Sequence, residues 1–493
     1  MTTDRKQRLP RLSIFRNWTS LSGLVVVVGG VFAFLLFLLL DTVVFGGNPY
    51  MGLWAYLVVP LLVTFGFVLI AIGLVIERRR VVRSGDGQLP PLLIMDFSRP
   101  QTRRNLVVFI GGSTTFMLLA AVATYRSYHF SESALFCGRV CHAVMKPEYT
   151  TYLHSPHARI SCAECHIGSG AAWYVKAKLS GLYQVYSTTF NKYSRPIPTP
   201  VHNLRPAQET CEQCHWPEKF AGNLDRVYAH FLSDPTNTPY TVRLSLKVGG
   251  SDPTHGPVGG IHWHMNVANR VEYIASDERR QVIPWVRMTN RAGVVTEYNT
   301  PKFKPQPGKD VIRRMDCMDC HNRPAHVFQS PNFAVDLAME LGQLEAGLPA
   351  IKKTAVRLLT QPYANEAEAL QKIATGLREK YPQGPRVAQT IAQVQAVYRD
   401  NFFPEMKTNW KVHPNNLGHK CWPGCFRCHD GEHKTADGKQ GIKANDCNAC
   451  HVILAQGRGE QLQKLTPRGQ AFDHPGGDMG EMKCPECHTG GAD

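Results

Sequence analysis

Three stretches near the N-terminus are apolar for the length of a membrane crossing: residues 21–40, 53–76 and 106–124, the last with Ser113, Thr114 and Thr115 inside it. A helix needs ~20 apolar residues to span the hydrocarbon core of a bilayer, so each predicts a transmembrane helix within an anchor over 21–128. The first is too long for a removable signal peptide and lacks a small-residue cleavage site. Pro60, inside the second, is read as a tolerated kink. Farther along the pattern changes period. YTVRLSLKVGG (240–250) and QVIPWVRMTN (281–290) alternate between Gly and Pro clusters, which predicts a small antiparallel β insertion over 216–316. In AVDLAMELGQLEAG and RVAQTIAQVQAVYRDNFF apolar residues recur at three- and four-residue steps, predicting two or three helices within 332–404.

Charge orients the anchor. The leading segment 1–20 holds Arg5, Lys6, Arg8, Arg11 and Arg16, the loop 41–52 has no Lys or Arg, and 77–105 carries Arg78, Arg79, Arg80, Arg83, Arg99, Arg103 and Arg104. Basic loops stay inside, so the N-terminus and second loop are cytoplasmic and the chain leaves the third span on the outer face. This predicts a multi-pass protein of a bacterial inner membrane with everything after the anchor in the periplasm.

Fourteen of the 15 cysteines fall in pairs followed by histidine. The pattern Cys-x-x-Cys-His occurs at Cys162/Cys165/His166, Cys211/Cys214/His215, Cys317/Cys320/His321, Cys425/Cys428/His429, Cys447/Cys450/His451 and Cys484/Cys487/His488. A further site, Cys137/Cys141/His142, has one extra residue between its cysteines. This is the attachment signature of c-type haem, in which two thioethers hold the porphyrin and the adjacent imidazole ligates iron. A single Cys-x-x-Cys also suits half a zinc site or a redox dithiol, but seven pairs each followed by His fit neither. Seven covalently bound c-type haems are therefore predicted, and their attachment outside the cytoplasm agrees with the charge argument. The remaining Cys421 reads as a small buried thiol. The formal charge of +16 does not indicate nucleic-acid binding: haem propionates offset it, and a dozen basic residues flank the spans. The fold class is thus a membrane-anchored multihaem cytochrome c, with three N-terminal transmembrane helices and a mainly α and irregular periplasmic haem domain carrying the β insertion. Haems 1–3 fall in 129–215, where haem replaces an ordinary core, haem 4 in 317–331 and haems 5–7 in 405–493.

Six-coordinate haem needs a second axial ligand. Of 20 histidines seven belong to the motifs, leaving thirteen. The best distal candidates are His157, His230, His264, His326, His419, His433 and His474, which lie near a motif or in an aromatic or glycine context. This supply favours bis-histidine haems that conduct electrons over an open catalytic site. Met145 follows His142 by three residues, and a thioether ligand there would raise the potential of the first haem. The alternative is that Met145 packs against the porphyrin.

Quinol oxidation needs an apolar slot open to the bilayer, a proton acceptor and a nearby electron acceptor. Trp173, Tyr174, Tyr183 and Tyr186 suit a helix lying along the membrane surface. Lys176 and Lys178 are placed to hydrogen-bond a quinol oxygen, or alternatively to reach lipid phosphates.

The run FCGRVCHAVMKPEYTTYLHSPHARISCAECH followed by WYVKAKLSGLYQVY resembles the NapC/NirT family of membrane-anchored cytochromes c, over residues 110–215. Three spans and seven haems resemble its longer inner-membrane members. The resemblance implies that Met145 ligates the first haem, that His157 serves a neighbouring one, and that a quinol pocket near the first haem uses Lys176 or Lys178. Family members carry an acidic residue shortly after that lysine. Gln184 stands there in this chain, and Glu148 is the substitute proton acceptor. The expected activity is a quinol:cytochrome c-type oxidoreductase that takes electrons from the membrane quinone pool, as menaquinol, and passes them to a periplasmic cytochrome or other redox protein. One alternative is a relay subunit of a larger respiratory complex, fed by a protein partner. Another is a reductase with an open haem site, which the histidine surplus opposes. Nothing in the chain suggests a nucleotide or flavin site.

Overall fold

Asn17 caps the first helix and ties it to the second. Its Oδ1 accepts from the Ser20 N–H at 2.7 Å, satisfying one of the donors a helix start leaves open, and its amide donates to Gly73 O at 3.2 Å. The computed structural model describes residues 17–43, 59–84, 98–140, 143–167, 171–201, 204–216, 220–249, 259–265, 269–306, 308–382, 384–444, 446–478, 480 and 482–491. Helices run over Trp18–Val43 (α1), Val59–Ser84 (α2), Pro100–Glu132 (α3), Lys146–Leu153 (α4), Ala171–Thr189 (α5), Pro331–Glu340 (α6), Ile351–Leu359 (α7), Glu366–Lys380 (α8) and Pro385–Asn401 (α9). Strands run over Leu224–Phe231 (β1), Pro239–Leu246 (β2), Arg270–Ile274 (β3), Trp285–Thr289 (β4), Val295–Asn299 (β5), Arg313–Arg314 (β6) and His451–Gly457 (β7). The chain divides into two units, residues 1–133 with 162–183, and 134–161 with 184–493.

In the first unit, the stretches 21–40 and 106–124 fall within α1 and α3, and 53–76 overlaps α2, with 53–58 outside the described residues. Among the described residues one helix, Val59–Arg80, is by itself long and apolar enough to cross a membrane. Small residues let α1 and α2 approach closely, the device by which helices associate where apolar burial supplies no drive. A Cβ on Gly66 would lie 2.7 Å from Val27 Cγ2 and 2.9 Å from Gly23 O. Trp18 also meets Phe109 of α3, ring centroids 5.4 Å apart.

The second unit holds two antiparallel sheets. One has the order β5-β4-β3-β6. The other has the order β1-β2-β7, with β1 and β2 paired from Leu224↔Leu246 to Phe231↔Pro239. Its third strand comes from the C-terminal segment, more than 200 residues after the hairpin. HVILAQG buries alternate residues Ile453, Ala455 and Gly457, which gives it one face to lay on the unit.

Four helices, rather than two or three, occupy the helical segment. Ser330 caps α6 and Pro331 opens it, and Gly347-Leu348-Pro349 breaks the chain before α7. Asn365 Oδ1 accepts from the Glu368 N–H at 2.9 Å to start α8, and Gly384-Pro385 starts α9. Their apolar faces meet around Ile351, Ala355, Ile373 and Leu377, all fully buried. Asp336 on α6 fastens this bundle to β1: it accepts from the Phe231 N–H at 3.1 Å, pairs with Lys352 at 2.7 Å and faces His230 Nδ1 at 3.1 Å. His230, expected as a distal ligand, is tied through Nδ1 to the Asp336 carboxylate.

Replacing Gly66 by Leu is expected to destabilise the α1–α2 contact by about 1–3 kcal/mol, the usual cost of overpacking. Gly29→Leu on α1, where a Cβ meets nothing within 4 Å, is the control. Thermal unfolding in detergent should show a lowered midpoint for the first variant only.

Candidate haem centres

The described motifs are built on single helical turns: α-helical over Cys162–His166, Cys317–Cys320, Cys447–Cys450 and Cys484–Cys487, and 3-10 over Cys211–Gln213 and Gly424–Arg427. Residues three apart on such a turn share a side, so both cysteines approach one edge of a flat group while the following histidine ends the turn. At the first motif Phe136–Val140 is a π turn, the widened form that a one-residue insertion produces. Gly138 lies there against the Tyr149 ring, with no space for a Cβ. Cys141 and His142 lie outside the described residues.

The second and third motifs set their cysteines differently. Cys165 lies inside its α-helical turn and is half-buried, as is Cys162. Cys214, by contrast, falls one residue beyond the 3-10 turn and is exposed, whereas Cys211 is half-buried. The Cys214 N–H donates to Cys211 O at 3.1 Å and so caps the 3-10 turn instead of continuing it.

Among the described residues, five motif histidines face a second histidine. Ring centroids are 6.0 Å apart for His157 and His215, 6.3 Å for His262 and His321, and 5.9 Å for His264 and His429. They are 6.2 Å apart for His419 and His451 and 5.8 Å for His474 and His488. A metal–imidazole bond is about 2.0 Å and the ring adds about 1.1 Å to its centre, so two imidazoles on one ion stand about 6.2 Å apart. The observed spacing fits an iron between each pair. Among the described residues no three His, Cys, Asp or Glu side chains cluster around one point.

Hydrogen bonds orient three of the facing rings. His157 Nδ1 meets Pro324 O at 3.0 Å, His262 Nδ1 meets Val248 O at 2.5 Å and His264 Nδ1 meets Ile261 O at 2.8 Å. A carbonyl acceptor places the proton on Nδ1 and leaves the Nε2 lone pair for a metal. Desolvation and then the facing imidazole lower the proton affinity of His429 and His419, and His321 is lowered by desolvation, His262 and His215 in turn. Neutral rings are the ligating form. Burial pushes the Cys320 thiol up to about 11 and Cys428 to about 12, against the thiolate a zinc or dithiol site would favour.

The fourth and fifth motifs are locked together through the residues between their cysteines. Asp319, buried, accepts from Tyr273 Oη at 2.5 Å, Arg280 Nη1 at 3.1 Å and the Asp316 N–H at 2.8 Å. Arg427 donates from Nη2 to Asp319 O at 2.7 Å, from Nη1 to Arg280 O at 2.9 Å and from Nε to Gly424 O at 2.8 Å. One 3-10 turn, Ile261–Met265, carries the facing histidines of both motifs.

Other expected residues fall as follows. His433 is fully buried with both nitrogens engaged, Nδ1 at 2.8 Å from Asp430 Oδ1 and Nε2 at 2.8 Å from Ile283 O, so no lone pair is left for iron. His262, absent from the expected set, faces His321 instead. Its signal is the spacing His-Trp-His in one turn. His326 has Nδ1 on Glu148 O at 2.9 Å, the anchoring seen at His157, His262 and His264. Met145 ends the 3-10 turn Ala143–Met145 and is half-buried. Lys176 and Gln184 are exposed on α5, and the Lys178 side chain lies outside the described residues. Glu148 on α4 is buried with no hydrogen-bond partner for Oε2; burial raises its proton affinity, opposed by its backbone and Arg323.

Removing the Asp319 carboxylate leaves the buried Tyr273 hydroxyl and Arg280 without their shared acceptor. Asp319→Ala should cost roughly 3 kcal/mol, and Asp319→Asn, which keeps an acceptor oxygen, clearly less. The two variants should rank in that order in unfolding midpoint, and equal midpoints would refute the role.

Sequence comparison places these centres among known proteins. The family described as NapC/NirT cytochrome c family, N-terminal region, matches residues 99–198. The chain is 41% identical over 496 residues to the cytochrome c-type protein ImcH of Geobacter sulfurreducens, covering 97% of this chain and 96% of that one. It is 32% identical over 162 residues to the cytochrome c-type protein NrfH of Wolinella succinogenes, covering 32% of this chain and 87% of the relative. No solved structure matches it.

Proposed function

Since the chain belongs to the NapC/NirT family of cytochromes c, membrane-anchored proteins that carry covalently bound haem, we propose that it oxidises quinol at the outer face of the inner membrane and delivers the electrons to a periplasmic redox protein. The observation that carries this reading is the set of five imidazole pairs spaced for one iron each. Haem iron held between two imidazoles exchanges single electrons between Fe(III) and Fe(II) and has no open position for a substrate. The ligand pairs are His215 with His157, His321 with His262, His429 with His264, His451 with His419 and His488 with His474. His142 with Met145 serves the first of seven haems, and His326, anchored through Nδ1 like His157, His262 and His264, is a further distal ligand. Cys165 and Cys214 hold the second and third haems together with Cys162 and Cys211.

The anchor spans the membrane three times through α1, α2 and α3, with the basic N-terminus and second loop in the cytoplasm. On α5 the exposed Leu179, Leu182, Tyr183 and Tyr186 recur at three- and four-residue steps, an apolar stripe suited to the membrane interface. Lys176 stands one turn before Leu179. Lys176 and Lys178 hydrogen-bond a quinol oxygen and favour loss of its proton, and Gln184 and Glu148 are the candidates for the proton acceptor. Each quinol, of the menaquinol type, releases two protons outside and gives up two electrons singly.

Anaerobic mixing of the oxidised, detergent-solubilised protein with a menaquinol analogue should reduce the c-type absorbance rapidly. The paired variant Lys176→Ala/Lys178→Ala should slow that reduction at least tenfold while dithionite still reduces it fully. A wild-type protein that dithionite reduces and quinol does not would point to a relay fed by a protein partner.

A further inference from the structure

The turn Ile261–Met265 sends two histidines to two neighbouring centres, and the rings arrive at unlike angles. His262 lies 8° from the plane of His321, and His264 lies 81° from that of His429. Both orientations are held from outside the pairs. His262 is stacked on Phe220 at 4.4 Å and anchored to Val248 O, and His264 is anchored to Ile261 O with Trp263 edge-on at 5.8 Å.

Ring angle matters because an imidazole π orbital raises whichever of two iron d orbitals it overlaps. Parallel rings raise the same orbital and split the two. Perpendicular rings raise one each and leave them nearly equal. Splitting stabilises Fe(III), whose electron hole occupies the raised orbital, so the parallel centre has the lower potential and the perpendicular centre the higher. Axial ligand arrangement is one of the levers by which a protein sets haem potential.

We propose that this turn builds a potential step between the fourth and fifth centres, making the His264/His429 centre a holding site for the travelling electron. The proposal rests on the bis-imidazole reading given above. An Fe(II) at the His262/His321 centre gives one electron to Fe(III) at the His264/His429 centre, the first becoming Fe(III) and the second Fe(II). The Asp319–Arg427 lock fixes the two attachment turns against each other. By the same rule His157 and His215, at 64°, group with the fifth centre, and the pairs at 20° and 40° with the fourth.

Low-temperature electron paramagnetic resonance of the oxidised holoprotein tests this. Perpendicular centres give a single ramp-shaped signal at large g, and parallel centres give a resolved three-line rhombic spectrum. Both kinds should be present, and in a potentiometric titration the large-g intensity should disappear first as the potential is lowered. His264→Met should remove part of the large-g signal and leave the rhombic one. Phe220→Leu, which touches no ligand to the fifth centre, should broaden a rhombic component and spare the large-g signal. A wholly rhombic low-spin spectrum, or rhombic intensity lost first, would overturn the potential step while leaving the ligand pairs intact. A predominantly high-spin spectrum would overturn the ligand pairs, and the step with them.

Discussion

Two imidazoles that share an iron must stand about 6 Å apart with their nitrogens facing, and much of the second unit is arranged to hold that distance. Five pairs meet it between 5.8 and 6.3 Å although their members lie on different turns and loops. Holding two rings apart with space between them is the opposite of ordinary core packing, which closes gaps. The chain therefore needs supports outside the pairs. The bundle α6–α9 supplies a conventional apolar core, the Asp336 network fastens it to the β1–β2 hairpin, and β7 begins at His451 itself, so the sixth motif passes directly into a sheet.

The support is densest around the fourth and fifth centres. There the residues between the cysteines, which the attachment chemistry leaves unspecified, form the joint: Asp319 gathers Tyr273 and Arg280, and Arg427 reaches back to the Asp319 carbonyl. Burial and the adjacent Asp319 raise the Tyr273 hydroxyl well above the ordinary phenol value, so it remains a donor to the carboxylate throughout the physiological range.

The attachment motifs, the family and the strand and helix segments were legible in the sequence because each depends on short-range spacing. Spacing does not, however, tell an α turn from a 3-10 turn, so the unlike settings of Cys165, within its turn, and Cys214, just past its own, were not legible. The distal ligands were only partly so, because a pair is closed by tertiary structure. His433 looked suitable four residues after His429, yet Asp430 one turn away takes its Nδ1 and a carbonyl from the far side of the β insertion takes its Nε2. His230 sits in a strand, where Asp336, over a hundred residues later, holds its Nδ1. His262 was passed over beside His264, although alternate residues of a tight turn project to different sides and so can serve two centres. The fourth helix of the bundle followed from Gly and Pro breaks, and β7 was hidden because its partner strand lies so far back along the chain.

In each of the five facing pairs the non-motif histidine precedes its motif in the chain: 157 before 215, 262 before 321, 264 before 429, 419 before 451 and 474 before 488. A chain exported from its N-terminus therefore has each waiting ring outside the membrane before the cysteines that will bind the porphyrin emerge. Closure of these five centres needs no later segment to return, and the loop to be closed is already complete when attachment occurs. Maturation can follow the direction of export. The sheet β1-β2-β7 is the exception in timing, since β1 and β2 wait for residues 451–457, which makes attachment at Cys447 and Cys450 and completion of that sheet nearly the same late event.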